Sequence, residues 1–448
     1  MKLKRKFTDF LLNWRSHHGK ECLLVKGARQ IGKTFTIDSF GRDNYASYLY
    51  INFQTNPEYR EIFSGSLEAA DILRKISGVF ADFRISAGST LIFLDEIQIC
   101  PRARTAFKPL AIDGQVDVIA SGSLLGLTFL DDDATLNRER RESSIPVGYE
   151  RQATMYSLDF EEYLWAVGYR TEVIEDLLLD PLASLQPVPD IVHKKLQRHF
   201  RDYIVTGGMP EVVTNFLCAN SYNVAFEIQQ KILTANLDDI SRYAPTAEKP
   251  KIRACYLSIP KQLARENKKF KYSAVVEHGR SRMFFSSIDW LRESALVFQC
   301  HNVEAPDIPL RAYRKDDCFK LYASDTGILT SMMGFPVVRT ILDNSIKGFA
   351  KGGIYENVVM GLLIRCGYDP SYYLPKSNLS EIDFLIENEK GIIPIEVKAG
   401  NDSSVSFDRF LERPDVEFGY KFVNGNIGKS GKKITLPHYM VAFIDKVR

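Results

Sequence analysis

The sequence predicts an α/β protein of more than one domain, and three observations carry that expectation. A glycine-rich turn follows an apolar run near the N-terminus; short apolar runs then alternate with segments of helical length; and near the C-terminus two neighbouring strand-like runs bring carboxylates and a lysine onto shared faces. At 448 residues the chain exceeds one comfortable core, while 45% apolar and 25% charged residues place it among ordinary globular proteins.

The first run, Leu23-Leu24-Val25, leads into Gly27-Ala28-Arg29-Gln30-Ile31-Gly32-Lys33-Thr34, which has the Walker A spacing G-x-x-x-x-G-K-(S/T). Glycines let the backbone curl around phosphates, and its N–H groups and a helix N-terminus face the anion. Lys33 reaches the outer phosphates and Thr34 offers a hydroxyl to Mg²⁺. The eight residues are therefore candidates for holding ATP. Gly428-Lys429-Ser430 repeats the last three letters, but Val423 stands where the first glycine belongs, so this stretch is expected to be a solvated loop.

Runs at Cys22–Val25, Tyr48–Phe53, Leu91–Leu94 and Val116–Ala120, separated by helical lengths, predict βα units of a largely parallel sheet. The third run ends in Asp95-Glu96, a Walker B pattern: Asp95 would hold Mg²⁺ through water, and Glu96 would polarise the water that attacks the γ-phosphate. The fourth ends in Ser121-Gly122-Ser123, where Ser121 and Ser123 are candidate γ-phosphate sensors and an ordinary Ser-Gly turn is the alternative.

Together GARQIGKT, LDEIQ, ASGSLLG and SIPVGYERQATMYSLDFEEYLWAVG resemble the AAA+-like ATPases of bacteria and archaea that carry a nuclease-like C-terminal domain. The resemblance covers essentially the whole chain. It implies an ASCE-type P-loop core in residues 1–165, a helical region with a winged helix in 166–335, and a restriction-endonuclease-like α/β domain in 336–448. One departure concerns the VG(R/K) stretch, where relatives often have a basic residue and this chain has Tyr149. A trans-acting arginine is then sought among Arg138, Arg140, Arg141 and Arg151.

In the middle of the chain, Tyr203-Ile204-Val205-Thr206-Gly207-Gly208-Met209-Pro210 resembles the Y-x-x-x-GGMP segment of the same family. It reads as a helix stop, a tight turn and a new helix starting at Pro210, with a structural task. Helical periodicity returns over Ala225–Tyr243, Ile252–Ala264 and Ser287–Val297, and the strand-like Phe319–Tyr322 then fits the implied winged helix. A formal net charge of +2 names no partner, but from Leu158 to Asp190 there are eight acidic residues and one basic, and from Lys249 to Arg282 ten basic and two acidic. Lys268, Lys269, Lys271, Arg280 and Arg282, with Phe270 and Tyr272 interleaved, are candidate DNA contacts; a protein-docking face is the alternative.

Glu381-Ile382-Asp383-Phe384-Leu385-Ile386 and Ile392-Ile393-Pro394-Ile395-Glu396-Val397-Lys398 read as two strands joined around Asn388 to Gly391. Alternation puts Glu396 beside Lys398 and Glu381 beside Asp383. Asp383 and Glu396 can hold Mg²⁺, with Lys398 beside them. This resembles the PD-(D/E)xK nuclease fold, and the resemblance makes Glu356 the acid of the preceding helix. Pro394 implies an edge strand or a bulge.

Seven cysteines without a C-x-x-C pair suit reduced thiols, and no run approaches eighteen apolar residues, so a cytoplasmic protein without a membrane partner is expected. The function that follows is a Mg²⁺-dependent ATPase coupled to a DNA-acting nuclease-like module. The alternative is a nucleotide-gated regulator that docks a protein partner or a second copy.

Overall fold

The computed structural model describes residues 1–17, 19, 21–123, 146–375, 381–400 and 404–446. The first unit begins with α1 (Lys6–His17), β1 (Cys22–Gly27), α2 (Lys33–Asn44), β2 (Ser47–Asn52), α3 (Ala69–Val79) and β3 (Thr90–Asp95). It continues with α4 (Pro101–Thr105), α5 (Phe107–Asp113), β4 (Asp117–Ser123) and β5 (Glu150–Thr154). The strands lie in the order β2-β3-β4-β1-β5, every pair parallel, as the four apolar runs predict. Every residue of β3 is buried, because helices cover both faces of a parallel sheet and its strands must be apolar throughout.

The helices of the middle are α6 (Phe160–Val167), α7 (Thr171–Ile174), α8 (Asp180–Ser184), α9 (Asp190–Thr206), α10 (Pro210–Ala219), α11 (Tyr222–Tyr243), α12 (Lys249–Leu263) and α13 (Phe285–Glu293). Helix α9 stops before Gly207 and Pro210 opens α10, matching the reading of the Gly-Gly-Met-Pro turn. A Cβ on Gly208 would overlap the carbonyl of Leu158, so only glycine allows this close approach. The helix expected over Ser287–Val297 is shorter: it ends at Glu293, Ala295 takes a left-handed φ of 56°, and Val297 already starts a strand.

That strand, β6 (Val297–Val303), pairs antiparallel with β7 (Arg314–Ala323). After α14 (Thr326–Met333), α15 (Phe335–Leu342) and α16 (Gly348–Arg365) come β8 (Ser371–Tyr373), β9 (Ile382–Asn388), β10 (Gly391–Val397), α17 (Val405–Leu411), β11 (Gly419–Val423), β12 (Gly428–Ser430) and β13 (Lys433–Pro437). One mixed sheet holds all eight strands in the order β12-β13-β11-β10-β9-β8-β6-β7. The strand-like run Phe319–Tyr322, read as fitting a winged helix, thus lies in β7, which with β6 is hydrogen-bonded into the C-terminal sheet, and the 335/336 boundary passes through that sheet.

Two local expectations need correction. Gly428-Lys429-Ser430 is the short edge strand β12, folded onto β13 through Gly431 at φ 58°, and not a loop. Strand β10 is central, flanked by β9 and β11. Its Pro394 is tolerated because the ladder with β11 begins only at Ile395, so the missing N–H costs no bond on that side. Among the described residues no helix is long and apolar enough to cross a membrane.

Candidate functional site

The phosphate loop runs from the end of β1 to the N-terminus of α2. Gly27 lies so close to the next strand segment that a Cβ would overlap the carbonyl of Met155. The loop is braced from below by Arg5, a buried residue that the motif did not reveal. Its Nη1 donates to Ile31 O at 2.9 Å, its Nη2 to Tyr156 O at 2.6 Å, and its Nε meets Glu162 Oε1 at 3.0 Å. Lys33 folds back over the loop, donating to the carbonyls of Gly27 (3.0 Å) and Ala28 (2.7 Å). Burial lowers its pKa to about 8 against the opposing pull of Glu96 and Asp95.

Strands β1 and β3 are not neighbours; β4 lies between them, and all three tips meet at one carboxylate. Asp95 accepts from Thr34 Oγ1 (3.0 Å), the Tyr50 hydroxyl (2.9 Å), Asn52 Nδ2 (3.2 Å), the Glu96 amide (3.1 Å) and the Ser121 hydroxyl. Ser121 is therefore turned toward Asp95 in this structure, while Ser123 pairs its backbone with Gly27. Glu96 sits in a left-handed conformation at φ 55°, with its carboxylate accepting from Gln98 Nε2. Strain of this kind persists where surrounding contacts over-determine it, and functional sites are where it collects. Tyr50, Asn52 and Gln98 escaped the sequence reading, although each lies at the tip of a strand or beside one. Gln30 is likewise left-handed at φ 61°.

Arg29 points away from the loop to the last turns of α11: Nη1 meets Asp239 Oδ1 at 3.0 Å and Nη2 donates to the Tyr243 hydroxyl at 2.9 Å. Of the arginines considered for a trans role, Arg151 packs over the Phe10 ring at 5.4 Å, and Arg138, Arg140 and Arg141 lie outside the described residues.

The second cluster forms on the C-terminal sheet. Ile395 faces Phe384 across the β9–β10 ladder, and one further step sets Glu396 opposite Asp383. Asp383 Oδ2 accepts from the Val397 amide at 2.8 Å; Glu396 Oε1 accepts from Ser404 Oγ at 2.9 Å and meets Lys398 Nζ at 2.6 Å. Oε2 of Glu396 is buried and accepts no hydrogen bond. Burial, then the charges of Glu396 and Glu356, push Asp383 well above the usual carboxylate range. Burial would lower Lys398, but the Glu396 and Asp383 carboxylates outweigh it and raise its pKa.

Glu356, on α16, is buried and meets Lys268 Nζ at 2.8 Å, Lys320 Nζ at 3.4 Å and the Tyr322 hydroxyl at 3.0 Å. Lys320, 1% exposed, also meets Glu381 at 2.5 Å. Sequence reasoning missed Lys320, although a lysine inside the apolar run Cys318-Phe319-Lys320-Leu321-Tyr322 is a legible signal of a buried partner. Burial alone would raise Glu356, and the two lysines overturn that, holding its carboxyl at about 2. A cleft of about 710 Å³ opens over the cluster, with Lys268, Lys347, Lys351 and Lys398 among its walls. Among the described residues no three His, Cys, Asp or Glu side chains converge to hold an ion by themselves, so Asp383 and Glu396 need backbone or water oxygens to complete a cation shell.

The basic block is partly spent within the molecule. Lys268 belongs to the Glu356 cluster, Phe270 is buried and stacked on Phe319 at 5.7 Å, and Tyr272 stacks on Phe284 at 5.6 Å. These aromatics anchor the segment and are not free for bases, a correction to the interleaved pattern; Lys271, Arg280 and Arg282 remain exposed.

Comparison with known proteins adds three family matches. An AAA domain model matches residues 19–164, and two families described as a domain of unknown function, DUF8612 and DUF4143, match 197–338 and 351–437. No curated protein matches the chain. The Walker-type ATPase of Pyrococcus abyssi is similar at 13% identity, with a TM-score of 0.42 over 74% of this chain and 96% of that one. The RuvB Holliday junction branch migration motor of Thermotoga maritima is similar at 12% identity, with a TM-score of 0.27 over 68% and 90%. The Pif1 helicase of Candida albicans is similar at 13% identity, with a TM-score of 0.24 over 40% and 48%. Scores this low transfer nothing to this chain. The match of residues 19–164 to an AAA domain model agrees with the parallel sheet and with the two motifs at its strand tips.

Proposed function

We propose that the chain binds ATP, hydrolyses it with Mg²⁺, and uses its nucleotide state to control a nuclease-like module that acts on DNA in the cytoplasm. The observation that carries this reading is the 3.0 Å contact between Thr34 Oγ1 and Asp95 Oδ2, with Glu96 next in the chain. These two oxygens are of the kind a Mg²⁺ ion takes in a P-loop site, and Thr34 and Asp95 would hold it. The ion would neutralise phosphate charge. Lys33 would leave the loop carbonyls for the outer phosphates, and Glu96 would take the proton of the attacking water. That water's oxygen bonds the γ-phosphorus as the bridging bond to the β-phosphate breaks, and the electron pair departs with ADP.

For the nuclease-like half, the buried Glu396 Oε2 that accepts no hydrogen bond supports a cation held with Asp383. Such an ion would act as a Lewis acid on a phosphodiester. Lys398 is placed to position water or stabilise phosphate charge, and Glu356 to orient Lys268 and Lys320. The middle region, read as a winged-helix unit, would contact DNA phosphates through Lys269, Lys271, Arg280 and Arg282, and residues 336–448 would complete the nuclease-like domain. The second reading, a regulator docking a protein partner, is favoured by one observation: Glu356 is already balanced by two lysines.

Steady-state ATP hydrolysis with and without duplex DNA tests the main reading. Stimulated turnover that Lys33→Ala abolishes is expected; tight ATP binding with negligible turnover, indifferent to DNA, would move the assignment to the regulator. Plasmid nicking tests the other half. It should require Mg²⁺ and disappear in Lys398→Ala, and nicking that survives the substitution would be a contaminant's.

A further inference from the structure

The first sheet ends in an open edge. Strand β5 pairs only with β1, and two hydrogen bonds fix which way its backbone faces: Cys22 N donates to Tyr149 O and Met155 N donates to Lys26 O. Odd-numbered residues of this stretch turn their N–H and C=O groups toward β1, so those of Glu150, Gln152 and Thr154 point outward. Among the described residues no backbone group pairs with them. Such an edge is a template for another strand unless something covers it. A groove of about 530 Å³ lies along it, lined by every residue from Arg151 to Ser157 and walled by Phe7 and Phe10 of α1, Ile364 of α16 and Tyr368. The charges in its walls divide. Arg5 is paired with Glu162 and Lys6 with Asp159. Arg151 is exposed and packs over the Phe10 ring at 5.4 Å, while Arg365 donates to the Ser157 hydroxyl at 2.7 Å and to the carbonyls of Ser157, Gly361 and Ser324. Neither arginine meets a carboxylate directly among the described residues, so the groove carries positive charge that its own acids do not neutralise.

We infer that β5 is a docking edge for an extended acidic segment of a protein partner, which joins the first sheet as a further strand beside Gln152 and Thr154 and sets carboxylates against Arg151 and Arg365. In strand addition the main-chain hydrogen bonds supply affinity and the flanking pockets choose the side chains. The flat fork of an arginine matches a carboxylate. A second copy of the chain suits the edge less well, because its own β5 would bring the same Arg151 to a groove that is already positive. Nucleic acid offers phosphates but no row of N–H and C=O groups to complete a ladder. Neither the nucleotide site nor the nuclease-like cluster uses this edge, so binding here stands or falls apart from them, and it gives the partner-docking reading a place and a chemistry.

The experiment uses the full chain without nucleotide and follows the fluorescence anisotropy of short fluorescein-labelled peptides in which glutamate alternates with valine, isoleucine, tyrosine or phenylalanine. Counterparts carry lysine in place of glutamate, or N-methyl groups on either alternate set of backbone nitrogens. At least one glutamate peptide should bind and slow amide hydrogen exchange over residues 150–156, and the lysine counterparts should not bind. Arg151→Glu should weaken binding about 10-fold or more. Gln152→Pro removes an outward N–H while leaving the β1 ladder whole, and should weaken binding by a similar factor. Circular dichroism checks the fold of each variant. Should Gln152→Pro fail to fold, the N-methyl peptides carry the same test from the other side of the ladder, and one of the two sets should lose binding about 10-fold or more. No binding by any glutamate peptide, equal binding of the lysine counterparts, full binding of both N-methyl sets, or unchanged exchange over residues 150–156 overturns the inference. A concentration-dependent dimer in sedimentation that the folded Gln152→Pro variant loses also overturns it, since the edge would then belong to a second copy.

Discussion

Glu356 illustrates how much a single buried residue decides. Its ordinary carboxyl value is 4.5, and the lysines that surround it bring that to about 2. A carboxylate depressed on folding contributes stability that is present above its unfolded value and is lost as the pH falls through the folded one, here between about 4.5 and 2. Glu356→Gln should therefore flatten the acid limb of the stability curve in that window. At neutral pH it should destabilise the chain by about 2–4 kcal/mol, because Lys268 and Lys320 lose a charged partner in the interior. Urea unfolding followed at pH 7 and pH 3 checks both; an acid limb as steep as in the natural chain would contradict the ion-pair account. The resemblance singled out Glu356 on its helix, but its two lysine partners were not legible. They come from positions 268 and 320, and nothing in a one-dimensional pattern pairs them with 356.

At the scale of elements, agreement follows burial. Four strands of the first sheet were readable as apolar runs, because covering both faces demands them, as in β3, whereas the polar, largely exposed edge strand β5 was not. The α13 boundary was not, because Ala295 breaks the helix in a left-handed conformation that its side chain does not advertise. The turn between α9 and α10 is closely packed. Asp325 Oδ2 accepts from Gly208 N at 2.9 Å and from Ser157 Oγ at 2.9 Å, while Oδ1 accepts from the amides of Gly327 and Ile328 at the start of α14. Three segments distant in sequence thus share one buried carboxylate. Gly208→Ala, forced against the Leu158 carbonyl, should cost about 3 kcal/mol or more, and Asp325→Ala a similar amount through stranded donors. Denaturation midpoints within about 0.5 kcal/mol of the natural chain would show that the backbone relaxes there.

For the whole molecule, the main lesson concerns where one unit ends. A continuous apolar core runs from Val25 and Phe93 of the first sheet through Phe160, Tyr203 and Ile204 to Ile354, Phe384 and Ile395. Strands β6 and β7 complete the C-terminal sheet from before residue 336. A fragment of residues 336–448 should consequently fail to fold, since β8 loses its β6 neighbour and α16 loses the partners of Glu356. Poor amide dispersion in its proton NMR spectrum is expected, with recovery in a fragment from residue 249 that restores α12, α13 and both strands. A well-dispersed spectrum from 336–448 alone would refute this.

What the sequence determined by itself is local chemistry: the eight-residue phosphate loop, the Asp95-Glu96 strand tip, and the alternation that sets Asp383, Glu396 and Lys398 together. Each is encoded by spacing within one or two adjacent elements, where backbone geometry leaves few alternatives. Only the tertiary structure decided which distant groups complete those sites. Arg5 beneath the loop, Asp239 and Tyr243 on Arg29, and Lys268 and Lys320 on Glu356 are brought in by packing. A charge buried far from its partner in sequence is paired because the folded interior penalises leaving it alone, a constraint that exists only once the chain has closed.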